Sequence, residues 1–149
     1  MLPERAPCQE ETAVTRTFQF WIPGPLPGLN EALGACRQSR GKGSAYSQLK
    51  KVWTHAVKGD VRAYVSVPLS FHRADFNFLW HELRVGRKRG RDPDNVHHGA
   101  KYIFDGLVAA GVLKDDTAEY VGRVTHEPLV FVGTPGEVGV LVTMTEVEG

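Results

Sequence analysis

The stretch FNFLWHELRVGRKRGRDPDNVHHGAKYIFDGLVAAG, residues 76–111, decides how the chain is read. Its first part alternates, so Phe76, Phe78 and Trp80 share one face of a strand while Asn77 and Leu79 share the other. That face is read as core rather than as a base-stacking surface, because a small α/β domain must bury rings of this size. Arg84-Val85-Gly86-Arg87-Lys88-Arg89-Gly90-Arg91 then places five basic residues in eight positions, interrupted by glycines, which is the composition of a loop. From Asn95 to Ala110 the residues Val96, Ala100, Ile103, Phe104, Leu107 and Val108 form a helical stripe, and Gly111 supplies a stop.

Working outward, Thr17 to Ile22 reads as a strand that ends at the proline- and glycine-rich segment Pro23 to Gly28. Asn30 to Gly43, with Arg37, Arg40 and Lys42 among small residues, reads as a mobile basic loop. Ser44 to Lys58 has the apolar spacing of a helix, with Gly59 as its stop, and Val61 to Leu83 shifts toward strands. After a turn at 112–117, strand-like runs cover Tyr120 to Val132 and Val138 to Val147, joined by a hairpin turn at Thr134-Pro135-Gly136. The order β-α-β(β)-α-β-β predicts an α/β (α+β) layer fold, a small mixed sheet carrying two main helices. Residues 16–149 form its single domain, after a loose tail at 1–15.

No apolar run approaches the roughly 18 residues of a membrane span. Met1 to Thr15 lacks an apolar segment and carries Glu4, Glu10 and Glu11, which disfavours secretion and membrane insertion. Cys8 and Cys36 are too few for a disulfide scaffold or a Cys-rich zinc site, so a reduced, cytoplasmic compartment is expected. The net charge of +1 hides a partition: residues 1–36 carry −2, residues 37–91 carry +10, and residues 92–149 carry −7. Such a basic segment suits a polyanion, and the acidic one suits hard cations or solvent.

Asp92-Pro93-Asp94-Asn95 carries the chemistry. Pro93 biases Asp92 toward extended backbone, where carboxylates at i and i+2 point the same way and can converge on one cation. Asp115 and Asp116 follow the next helix, and Asp116 completes a three-carboxylate site only if folding returns that turn to the helix start. Mg²⁺ favours such a set, with open positions for water and phosphate oxygens. Three other readings stay open: Asp and Asn capping a helix, a metal–nucleotide site of a sugar transferase, and a transition-metal site at His97 and His98. No dinucleotide or phosphate-loop motif is present, so no organic cofactor is expected.

The segment from Arg87 to Asp116 resembles the RusA-type Holliday-junction resolvases. The matching pieces are the basic run, Arg91-Asp92-Pro93-Asp94-Asn95, Lys101-Tyr102-Ile103-Phe104-Asp105-Gly106-Leu107, and Ala110-Gly111-Val112-Leu113-Lys114-Asp115-Asp116. The resemblance implies a homodimer that binds four-way DNA junctions and nicks two strands symmetrically with Mg²⁺ or Mn²⁺. It implies Asp92, Asp94 and Asp116 as catalytic metal ligands, with Asp115 in reserve and Asp105 as structural. In the family's pattern a lysine stands four residues after the second aspartate, where this chain has His98. Lys101 lies three residues further on, a net swing near 60° on a regular helix. Lys101 is therefore the first candidate for electrostatic stabilisation and His98 the second. Arg84, Arg87, Lys88, Arg89 and Arg91, together with Arg37, Arg40 and Lys42, would contact phosphates. The rival expectation is a non-catalytic basic DNA-binding protein whose aspartates only cap a helix.

Overall fold

The alternation read at Phe76 to Trp80 runs the length of strand β2, Ala74–Leu83, where every second residue from Ala74 to Glu82 is buried. The computed structural model describes residues 16–38, 45–64 and 70–147; the expected tail at 1–15 lies outside them. On one edge β2 pairs antiparallel with β5, Gly139–Glu146, which pairs antiparallel with β1, Thr17–Pro23. On its other edge β2 pairs parallel with β3, Val121–His126, and further along with β4, Val130–Val132. The result is a five-stranded mixed sheet, so the α+β expectation holds. The hairpin expected at Thr134-Pro135-Gly136 does not form. A 3-10 turn at Pro135–Glu137 instead carries the chain around the end of β2. Strands that bond opposite edges of β2 cannot also pair with each other.

Four helices accompany the sheet among the described residues: α1 Leu29–Gln38, α2 Ala45–Tyr64, α3 Pro93–His97 and α4 Ala100–Ala109. α1 corrects the reading of residues 30–38 as loop. Two bonds start it. The Gly28 N–H donates to the Glu31 carboxylate at 3.3 Å, half of a capping box, and the Asn30 N–H donates to Asn95 Oδ1 at 2.9 Å. The second bond comes from 65 residues away, so no local pattern announces it. α2 runs through Gly59 to Tyr64, where strand had been expected. A helical glycine costs about 1 kcal/mol against alanine, which the burial of Val57 and Val61 on either side outweighs.

The single helix expected from Asn95 to Ala110 is broken at His98-Gly99. Here the backbone bonds run three residues back, from Gly99 to Val96, Lys101 to His98 and Tyr102 to Gly99, the pattern of a tighter turn. Gly99 sits at the break, where a Cβ would press on Leu26 and on the Trp80 ring at 3.0–3.1 Å. The core lies between one sheet face (Phe20, Ile22, Phe76, Phe78, Val140, Val142) and the inner faces of α2 and α4. Gly106 lets those two helices touch, because a Cβ at that position would overlap Val57.

Candidate metal centre and nucleic-acid interface

The backbone of the Asp-Pro-Asp turn follows from its residues. Asp92 is extended (φ −70°, ψ 152°), Pro93 opens α3, and Asp94 is the helix's second residue. The extended geometry therefore holds at Asp92, while Asp94 already belongs to the helix. Asp92 sits at the capping position yet makes no side-chain capping bond. Its carboxylate is 71% exposed, 3.9 Å from the similarly exposed Arg89 guanidinium. A pair so solvated holds neither partner firmly. Asp94 is exposed as well.

The frame behind this turn is firm. Arg91 donates two bonds to the buried Glu82, at 2.6 and 2.9 Å, and a third to the Leu26 carbonyl at 2.9 Å. Glu31 stands 3.6 Å from the same guanidinium. These carboxylates, Glu82 first, raise the Arg91 pKa further. Arg91 thus corrects the reading of it as a phosphate contact: it is a strut that ties the loop to β2. The other members of the run, Arg84, Arg87, Lys88 and Arg89, are exposed and remain available to an anion, with Arg84 packed 5.0 Å over the Phe131 ring. Arg37 is exposed near the end of α1, while Arg40 and Lys42 lie outside the described residues.

Behind Asp94 stands a group that local patterns do not reveal. His97 stacks on His126 with ring centroids 4.0 Å apart, and the Trp80 indole N–H donates to His126 Nδ1 at 3.0 Å. Only an unprotonated nitrogen accepts that bond. Burial first, then the neighbouring His97, push the His126 pKa down to about 4. Burial also lowers His97, against the pull of Asp94. Parallel stacked rings do not converge on one ion, so His97 and His126 pack together rather than share a metal.

His98 turns inward against Tyr102, edge to face, and its Nε2 is buried without a partner. Burial and then Lys101 lower its pKa. The tight turn also changes the geometry of Lys101. The Lys101 N–H donates to the His98 carbonyl at 3.1 Å, three residues back, so the 60° swing expected on a regular helix does not apply.

Asp115 and Asp116 are elsewhere. Leu113 bridges Phe71, and the Ala74 N–H donates to the Tyr120 carbonyl, so the acidic turn lies at the Ala74 end of β2. Arg91 and Asp92 lie at its Glu82 end, and α4, about 15 Å long, separates the two sites. Asp115 Oδ1 accepts the Asp116 N–H at 2.8 Å, a bond local to the turn. The convergence of Asp92, Asp94 and Asp116 expected within one chain is therefore not formed. Among the described residues no group of three or more His, Cys, Asp or Glu side chains is placed to hold a metal ion. The physical reason is direction: the helix that starts at the aspartate pair carries the chain away from it. Lys50 Nζ lies 3.9 Å from the buried Oδ2 of Asp105, which makes no hydrogen bond among the described residues.

α2 carries a second basic surface that the loop-centred reading missed. Lys50, Lys51 and Lys58 line a groove of about 490 Å³ between α2 and α4. Their spacing opposite the Leu49, Trp53, Val57 stripe was the available signal. No helix among the described residues is long and apolar enough to cross a membrane. No family model matches the chain, and no curated protein matches it.

Proposed function

We propose that the chain is a divalent-metal-dependent endonuclease of branched DNA, acting on four-way junctions as the RusA-type resolvases it resembles do. The observation that carries this reading is the Asp92–Asp94 pair, two exposed carboxylates at a helix start that follow directly on a basic loop, with Asp92 free of any capping bond. A phosphodiester attracted by Arg84, Arg87, Lys88 and Arg89 reaches the mouth of α3. Asp92 and Asp94 would hold Mg²⁺ or Mn²⁺, with waters and phosphate oxygens filling the other positions, an arrangement that suits an ion taking one or two carboxylates. The bound ion supplies Lewis-acid polarisation of the phosphate and a water of lowered pKa. Lys101 stabilises charge on the transition state. Asp116 enters the same centre only from a second copy of the chain, and a two-fold homodimer also matches the two equivalent strands of a junction.

The separation of Asp116 from the aspartate pair favours one other reading, a DNA-binding protein without catalysis. Cleavage of a synthetic four-way junction in Mg²⁺ separates the two. The nuclease reading expects paired nicks by wild type and none by Asp94→Asn at equal binding. Binding without nicking by wild type would overturn it.

A further inference from the structure

We propose that the groove between α2 and α4 is a second phosphate-binding track, which seats the backbone of a DNA arm leading to the Asp92–Asp94 mouth; this rests on the nuclease reading. Lys50, Lys51, Thr54 and Lys58 from α2 form one wall, and Asp105 and Ala109 from α4 the other. The one acidic side chain of the lining, Asp105, lies against Lys50. Among the described residues Lys51 and Lys58 form no ion pair, so the groove keeps a positive surplus. His55 also faces the groove.

Spacing and direction identify the ligand. Lys51 and Lys58 are two helical turns apart, about 10.5 Å along the axis. Neighbouring phosphates of one strand stand farther apart than the roughly 3.4 Å rise along the duplex axis, so this row reaches about two phosphates of one strand. The Thr54 hydroxyl lies between them as a neutral donor. Lys101, Asp105 and Ala109 recur at four-residue intervals and share one stripe of α4. A backbone lying in the groove therefore passes Lys101 one turn before it reaches α3. The basic loop at residues 84–90 then grips the duplex on the other side of the aspartates, giving the protein two holds on either side of the cut.

Fluorescence anisotropy with a labelled four-way junction in EDTA, over a range of KCl concentrations, tests the track without cleavage. K51Q/K58Q should weaken binding to every sequence alike and lower the slope of log K against log salt by about 1.8, at 0.9 per lost contact. R123Q, which removes one charge on the edge strand β3 outside the groove, should leave the slope unchanged. An unchanged slope in K51Q/K58Q, or an equal loss per removed charge in R123Q, overturns the track. Failure of wild type to bind any DNA overturns the track and the nuclease reading together, whereas nicking by wild type with an unaltered K51Q/K58Q slope overturns the track alone. Inorganic tripolyphosphate is the second arm: tight binding that K51Q/K58Q abolishes, with no effect on the junction slope, would mark a small-anion pocket and refute the track. Thermal melts confirm that both variants remain folded.

Discussion

The two ends of β2 each carry an acidic pair, and they are built differently. At the Glu82 end, Arg91 is bound to Glu82 and Leu26, Asn95 to Asn30, and His97 to His126, so the turn bearing Asp92 and Asp94 is held from three directions. At the Ala74 end, Asp115 binds its own neighbour, and Asp116 projects from an exposed turn anchored by the Phe71–Leu113 bridge. The lesson is that the first pair is positioned by its own chain, while the second is presented outward. A centre that uses both needs a second molecule.

The largest effect should come from dismantling the firm end. Arg91→Ala leaves the buried Glu82 carboxylate unpaired and should lower unfolding free energy by about 3 kcal/mol or more in urea titrations. Asp115→Ala at the other end should stay within about 0.5 kcal/mol. Equal losses would erase the contrast between the two ends.

Asp94→Asn should reduce junction nicking at least about a hundredfold, more than typical losses from residues supporting a metal ligand, with junction binding retained. Asp116→Asn sharpens the comparison further. If a second copy supplies Asp116, that variant is equally inactive, and mixing it with Asp94→Asn restores nicking through hybrid dimers. Full activity of Asp116→Asn alone would confine the metal to the Glu82 end.

Charge reversal of Arg87, Lys88 and Arg89 together should flatten the salt dependence of junction binding by about three units of slope. Unchanged affinity between low and moderate salt would remove this loop from the interface.

The smallest effect is on pH. The folded protein holds His126 neutral down to about pH 4, whereas the unfolded chain takes up the proton near 6.5. Between those values the unfolded state binds more protons, so stability is complete above 6.5 and falls with pH. From pH 7 to 5 the loss should be about 1 kcal/mol, since solvent screens this half-buried ring, and is read as a lower urea midpoint. His126→Phe should flatten that dependence. A wild-type midpoint independent of pH over this range would show that burial does not hold His126 neutral.

Strand β2, its buried aromatic face, β1 and its stop at the Pro23–Gly28 segment, and the apolar stripes of α2 and α4 were legible in the sequence, because periodicity of two or 3.6 is a local signal. So was the extended Asp92, since the following proline restricts it, whereas the helix starts at Pro93, two residues before the expected Asn95. The rest depended on contacts between distant residues. α1 is started by a bond from Asn95, Gly99 fits closely against Trp80 where α3 gives way to α4, and Arg91 is withdrawn from its basic run by Glu82. The chain order alone determined which residues could carry the chemistry. Only the tertiary structure decided that Asp116 stands a helix length from Asp92 and Asp94, because α4 packs along β2 and delivers the two acidic turns to opposite ends of the strand.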